Sequence, residues 1–101
     1  MNKSPEIAGM KQNESTLFLH GPLTRHTVSG LYKHFKNQYP GKITMIDCTQ
    51  TGPVDSTGVC FLLACIKILK ESGKTVKITG LNTQTIKLAT LYEVDELLEP
   101  Q

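Results

Sequence analysis

The sequence predicts an α/β domain in which a mixed, mostly parallel sheet of about four strands is covered by helices. Short apolar runs typical of strands alternate with longer segments whose apolar residues recur at helical spacing. Glycine, proline and capping residues separate these segments. Because strand–helix–strand connections form right-handed crossovers, successive strands are expected to lie parallel. We expect one domain over 1–101, with a possible edge strand and turn in 1–14 and the core in 15–98.

The first elements are predicted to form a hairpin. Thr16–His20 is a β-type run closed by the breaker pair Gly21-Pro22. Ile7–Met10 is a candidate edge strand, with the turn between the two at Asn13-Glu14. The sheet is therefore expected to start with two neighbouring strands.

A first helix is predicted to begin at Thr27 and to end at Pro40-Gly41. A strand is expected over Ile43–Asp47, followed by a loop over Thr49–Pro53. The apolar residues that share one face of the helix are Val28, Leu31, Tyr32, Phe35 and Tyr39.

The longest helix is predicted over Val59–Glu71, with Asp55 or Ser56 as its N-cap and Gly73 at its C-terminal cap. Asn82 is expected to cap a further helix. The remaining elements are a strand at Thr75–Thr79, that helix at Thr83–Tyr92, and a last helical turn indicated by Val94, Leu97 and Leu98.

Composition excludes several classes of protein. The formal net charge of +2 is too small to indicate a nucleic-acid or membrane partner by itself. The three cysteines (Cys48, Cys60, Cys65) are odd in number and lie in apolar segments, which indicates a reducing compartment rather than a disulfide framework or a zinc site. The longest apolar run, Val59–Ile66, is far shorter than the roughly 20 residues of a membrane span. We expect a cytoplasmic protein.

Two catalytic patterns fail on inspection. Ser72–Thr75 resembles the end of a phosphate-binding loop, but isoleucine occupies position 68, where that motif requires glycine. Ser56 and Asp47 could form a hydrolase triad on paper with one of three histidines, yet the sequence contains no Gly-x-Ser-x-Gly elbow. We therefore expect no enzymatic activity, no cofactor and no metal. The histidines, expected to be surface residues, are His20, His26 and His34.

A run of lysines accompanies the longest helix and the strand after it. The run contains no interleaved aromatic residues, and it is interpreted as a solvated face. A docking patch for an acidic partner or for lipid headgroups is the alternative. Its members are Lys67, Lys70, Lys74 and Lys77.

The segment Val54–Gly58 carries the functional prediction. It places Asp55, Ser56 and Thr57 at the start of the longest helix, where free N–H groups and the helix dipole stabilise a phosphate or a partner's carboxylate. Simple capping by Asp55 or Ser56 is the structural alternative. The apolar arc of this helix is wider than packing on one side of a sheet requires. Phe61, Ala64 and Ile68 are therefore expected to supply exposed apolar area for a protein interface.

In order and spacing, four segments resemble the STAS domain, the fold of anti-sigma-factor antagonists. They are Leu19–Leu23, Met45–Cys48, Val54–Gly58 and Gly73–Leu81, and the resemblance covers about 16–98. Within that family, Leu88–Tyr92 and 97–100 look most like the MlaB type, the STAS subunit of phospholipid-transporting ABC complexes that maintain outer-membrane lipid asymmetry.

The resemblance implies a non-catalytic subunit that docks on the cytoplasmic ATPase of such a transporter, at the inner face of the inner membrane. The docking hydroxyl, usually threonine in MlaB-type chains, corresponds to Ser56, and Asp55, Thr57 and Gly58 belong to the same motif. Anti-sigma-factor antagonists use the next position as a phospho-acceptor, which corresponds to Thr57, with Ser56 as the other candidate. A phospho-switched antagonist is therefore the first alternative, and a small enzyme is the second.

Overall fold

The computed structural model describes residues 8–39, 42–73 and 75–98. A four-stranded sheet has the order β1-β2-β3-β4, with β1 antiparallel to β2 and the other neighbours parallel. This mixed sheet with its helices confirms the predicted α/β class. The elements are β1 (Gly9–Asn13), β2 (Thr16–Leu23), α1 (Val28–Gln38), β3 (Met45–Val54), α2 (Ser56–Glu71), β4 (Lys77–Thr79), α3 (Thr83–Leu91) and a 3₁₀ turn (Asp95–Leu98).

The core joins alternate residues of the central strands to one face of each helix. Leu17 and Leu19 of β2 and Ile46 of β3 are fully or almost fully buried, as the period of two along a strand requires. The helices contribute buried side chains that include Phe35, Leu62, Leu69 and Ala89. Burial of this apolar area is the main stabilising contribution to the fold.

The predicted edge strand exists, shifted toward the C-terminus. β1 covers Gly9–Asn13 rather than Ile7–Met10, and Ile7 lies outside the described residues. The turn follows at Glu14, whose φ of 55° is left-handed, and its carbonyl accepts a 2.7 Å hydrogen bond from Gln12 Nε2. A side-chain hydrogen bond thus supports a backbone conformation that non-glycine residues seldom adopt.

The prediction that Gly21-Pro22 ends the second strand is wrong. β2 continues to Leu23, where it pairs with Val54. Pairing with β1 stops at His20, and the register with β3 shifts between Gly21 and Leu23. Proline lacks an N–H, and a strand tolerates it at such an irregularity beside an unpaired edge.

The predicted loop Thr49–Pro53 is also strand. β4 pairs with the first residues of β3, and among residues 8–39, 42–73 and 75–98 no strand lies on that side of the later part of β3. Side chains from the start of α3 substitute for it: Asn82 Nδ2 donates to the Gly52 carbonyl at 3.0 Å, and the Val54 N–H donates to Gln84 Oε1 at 3.0 Å. Pro53 therefore lies on a strand edge that needs few ladder hydrogen bonds.

The helices agree with the sequence pattern. Asp55 and Asn82 cap α2 and α3 as predicted, and Gly73 follows α2 with a φ of 88°. The predicted end of α1 at Pro40-Gly41 lies outside the described residues. β4 is shorter than predicted, whereas the last helical turn is present. None of the helices in the described ranges is both long and apolar enough to cross a bilayer.

Candidate functional site

The start of α2 is held by the carboxylate of Asp55. Oδ1 accepts a hydrogen bond from the Gly58 N–H at 3.0 Å, which satisfies one of the donors that every helix leaves open in its first turn. The Asp55 N–H donates to the Leu23 carbonyl at 3.2 Å. Asp55 therefore fixes α2 to the end of β2.

The second oxygen of Asp55 reaches another segment. Oδ2 accepts a 3.0 Å hydrogen bond from the Arg25 N–H in the β2–α1 turn. Partial burial raises the pKa of Asp55, but hydrogen bonds from the N–H groups of Arg25, Gly58 and Thr57, together with the Arg25 charge, lower it to a net value below its ordinary one. The carboxylate therefore stays charged and engaged in these hydrogen bonds at neutral pH.

The two hydroxyl residues that follow differ in exposure. Ser56 is exposed in the first turn of α2, whereas Thr57 is half-buried beside it. The structure thus presents Ser56 to an approaching protein more openly than Thr57.

Two of the predicted contact residues are buried. A Cβ at Gly58 would collide with the Leu23 carbonyl oxygen and approach Val54 Cγ1 to 2.9 Å, so Gly58 provides close packing rather than a surface. The expectation that Phe61 adds exposed apolar area is wrong, since its side chain is only 2% exposed. α1 and α3 both pack against α2. We infer that these neighbours cover the part of the wide apolar arc that includes Phe61.

Part of the remaining surface of α2 forms a continuous strip that starts at Ser56. Positions three or four apart lie on one helical face, separated by about 60° or 40° of rotation and by about 4.5 or 6 Å of rise. The members are exposed or half-buried, and they run from hydroxyl residues at the start of α2 to apolar residues further along it. We call this surface the α2 strip: Ser56, Thr57, Cys60, Ala64 and Ile68.

Cys60 is a strip residue that the sequence interpretation missed. Grouping the three cysteines as apolar-segment residues hid a difference that a helical wheel would have shown, because Cys60 falls between Ser56 and Ala64. Cys60 is exposed, whereas Cys48 and Cys65 are buried. Burial, and secondarily the Asp47 charge, raises the pKa of the Cys48 thiol to about 12, and burial likewise raises that of Cys65. Reactive thiol chemistry at neutral pH is therefore expected at Cys60.

The hydrolase triad considered for Ser56 does not assemble. Asp47 lies in the first part of β3 and Ser56 beyond its end, so the strand separates them by roughly 20 Å. Asp47 Oδ1 instead accepts hydrogen bonds from the Thr49 N–H at 2.9 Å and the Thr49 hydroxyl at 2.6 Å. Within 8–39, 42–73 and 75–98, no group of three His, Cys, Asp or Glu side chains is placed to hold a metal ion.

An apolar groove of about 460 Å³ lies toward the other end of α2. Leu63 and Ile66 line it from α2 and Leu97 from the 3₁₀ turn, with Lys67 and Lys70 at its edge. The exposed side chain of Lys77 belongs to β4, and Lys74 lies outside the described residues. The predicted lysine run is thus divided between two elements.

Solved structures with this architecture include two of the anti-sigma factor antagonist SpoIIAA. The unphosphorylated form aligns with a TM-score of 0.69 over 94% of this chain and 88% of that one, at 16% identity. The phosphorylated form, from Bacillus, gives 0.66 over 94% and 91%, also at 16% identity. At this identity the likeness concerns the fold alone.

Comparisons of sequence find relatives that are more similar to this chain than the two solved structures are. The family described as "Mlab, STAS domain" matches residues 8–99. The intermembrane phospholipid transport system binding protein MlaB of Escherichia coli (strain K12) is 32% identical over 89 residues, which is 88% of this chain and 91% of that protein. The protein of the same description from Shigella flexneri gives the same values. The chain belongs to the STAS domain family, in its MlaB type.

Proposed function

We propose that this protein is a non-catalytic STAS subunit that binds the ATPase of a phospholipid-transporting ABC complex and stabilises or regulates it. Its MlaB-type relatives are described as binding proteins of an intermembrane phospholipid transport system. A subunit of this kind would work in the cytoplasm, at the inner face of the inner membrane when it is in the complex.

The observation that carries the proposal is the α2 strip. Over about 18 Å of helix, it presents hydroxyl groups at one end, then the small side chains of Cys60 and Ala64, then Ile68. Small side chains let a partner approach the helix closely, and polar groups beside apolar ones are typical of protein interfaces. The strip therefore suits a helix or loop of another protein better than a small-molecule substrate.

The mechanism follows from how rigidly the strip is held. Asp55 joins the start of α2 to β2 and to the β2–α1 turn, so docking requires little ordering of the backbone. A partner that binds one conformation of the ATPase stabilises that conformation by mass action. The subunit would thus regulate the ATPase through binding energy, without chemistry of its own.

A phospho-switched antagonist is the second candidate, favoured by the adjacent hydroxyl residues Ser56 and Thr57 at a helix start. A phosphate there would be stabilised by the helix dipole, and it would also place negative charge in the docking surface. Thr57 is the candidate acceptor from the family pattern, and Ser56 is the more exposed of the two.

The test is co-purification of the transporter ATPase with single-residue variants. Ser56→Glu is expected to weaken the complex about a hundredfold, because it introduces an unpaired charge into a desolvated interface. Ser15→Glu, at an exposed serine in the β1–β2 turn, is the matched control and should bind like wild type. Equal binding by wild type and Ser56→Glu would contradict the proposal.

Thr57 separates the two candidates. For a transporter subunit, Thr57→Ala should bind the ATPase within about twofold of wild type. For a phospho-switch, Thr57→Asp should release the partner, and intact mass of the protein from its own cell should show one added phosphate on Thr57. Finding that phosphate would overturn the transporter proposal as stated.

A further inference from the structure

The turn between β2 and α1 is cross-linked by its two threonines. The Thr27 hydroxyl donates to the Pro22 carbonyl at 2.8 Å and accepts from the Thr24 N–H at 3.0 Å. The Thr24 hydroxyl accepts from the His26 N–H at 3.2 Å. Arg25 and His26 are exposed at the tip. The turn is therefore a hydrogen-bonded platform that directs these two side chains outward.

This platform is joined directly to the α2 strip. The Arg25 N–H and the Gly58 N–H bind the two oxygens of the same Asp55 carboxylate. Ser56 is the residue after Asp55, so the turn and the first strip residue are held by one side chain. A protein that covers Ser56 will also lie beside Arg25.

Arg25 carries the permanent positive charge of the β2–α1 turn, and that charge lowers the pKa of the neighbouring Asp55. Arg25 is the chain's one arginine, against ten lysines elsewhere. In the described parts of the chain, α1, α2 and α3 carry no acidic residue in their first turns, although acids are favoured there. Asp55 accepts backbone N–H groups with both of its oxygens. The other described carboxylates lie in the first part of β3, in the β1–β2 turn, at the end of α2, and from the end of α3 into the 3₁₀ turn: Asp47, Glu14, Glu71, Glu93, Asp95 and Glu96.

We infer that Arg25 is a second anchor of the docking surface and binds a carboxylate of the partner protein. This rests on the proposed function, and it adds the partner's chemistry: an acidic side chain facing the β2–α1 turn. Guanidinium pairs with a carboxylate through two parallel hydrogen bonds, which lysine cannot reproduce. Arginine is also among the residues that most often dominate interface energies. An exposed arginine on a hydrogen-bonded turn beside an apolar strip fits that role.

The experiment measures the Kd of the transporter ATPase for wild type, Arg25→Lys, Arg25→Ala and Arg25→Glu. Lys70→Ala and Lys70→Glu make the same charge changes at an exposed residue in the last turn of α2. Affinity should fall about tenfold or more for Arg25→Ala and further for Arg25→Glu, with a measurable loss for Arg25→Lys. The Lys70 variants should stay within about twofold of wild type. Thermal unfolding checks that each variant is folded.

Salt dependence and charge reversal complete the test. Removing a charge pair should flatten the dependence of log Kd on salt concentration in Arg25→Ala. Reversing the facing partner carboxylate to lysine should restore binding of Arg25→Glu. If wild type binds and Ser56→Glu does not, but the Arg25 variants bind like wild type, this inference fails while the proposed function stands. The inference about Arg25 also fails if Arg25→Ala binds the ATPase like wild type and loses only its binding to anionic vesicles. If wild type itself does not bind the ATPase, the proposed function fails.

Discussion

The two parts of β3 are built differently. Met45–Asp47 pairs with strands on both sides, β2 and β4. Beyond Asp47, β2 is the one neighbouring strand in the described part of the chain, and the register with it shifts twice before Val54. There the open side is completed by Asn82 and Gln84, each thirty residues away from the atom it binds. This irregular part of β3 ends at Val54, and Asp55 and the α2 strip follow it directly. The candidate site is therefore attached to a strand segment whose open edge is completed by side-chain hydrogen bonds.

The comparison shows which part of β3 depends on particular side chains for its geometry. A strand paired on both sides needs little from its side chains beyond burial. A strand edge completed by side chains can bend, and the two register shifts reflect such bending. That geometry brings Leu23, Val54 and Gly58 close enough to leave no space for a Cβ at Gly58.

The largest expected effect comes from filling that space. Gly58→Ala should lower the free energy of unfolding by about 3 kcal/mol, because the new methyl group meets a backbone carbonyl that cannot move aside cheaply. Gly30→Ala in α1 is the matched control, since a Cβ added there would meet no atom within 4 Å. It should instead raise stability by about 0.5–1 kcal/mol. Denaturant unfolding of both variants measures this, and equal effects would contradict the close packing of α2 on β2.

A smaller effect is expected from opening the edge of β3. Asn82→Ala removes the hydrogen bond to the Gly52 carbonyl and the cap of α3, where Oδ1 accepts from the Thr85 N–H at 2.8 Å. It should cost about 1–2 kcal/mol. Gln84→Ala should cost about 1 kcal/mol and speed hydrogen exchange at the Val54 N–H. The amide of Ile46 lies in the part of β3 that is paired on both sides. Its hydrogen exchange should change only as much as the loss of global stability in Gln84→Ala requires.

The smallest expected effect is the change in unfolding free energy when the charge of Asp55 is removed, and it depends on pH. Because the folded pKa of Asp55 lies below its ordinary value of 3.8, its charge contributes stability above that pH, and the contribution is lost as pH falls through the folded pKa. Asp55→Asn keeps a good N-cap but not the charge, so it should cost roughly 0.5 kcal/mol at pH 7. The difference from wild type should shrink below about pH 4. A difference in unfolding free energy that is the same at pH 7 and pH 3 would contradict this role.

The regular parts of the molecule could be predicted from sequence because their signals are local. Asp55 and Asn82 precede helical patterns at capping positions, and Gly73 follows one. The strand through Pro22 and Pro53 could not be predicted, since proline is a local breaker and its tolerance here depends on which edges other elements leave unpaired.

The sequence predicts where the candidate site lies, but it does not predict all of the residues that form its surface. The helix start with Ser56 and Thr57 follows from the sequence pattern. The exchange of Phe61 for Cys60 as a surface residue does not follow from hydrophobicity, because a wide apolar arc is covered according to where α1 and α3 pack. Arg25 comes to Ser56 only through the tertiary hydrogen bonds of Asp55.

The most direct test of the α2 strip as the docking surface is maleimide labelling of Cys60 in the wild-type protein, with and without the transporter ATPase. Cys48 and Cys65 are buried, so the intact mass of this chain should report mainly Cys60. A Cys60→Ser chain carrying Lys70→Cys is the control, with its thiol in the last turn of the same helix. We expect saturating ATPase to slow labelling of Cys60 at least tenfold and to leave the control thiol unaffected. Unchanged labelling of Cys60 in a formed complex would contradict the account.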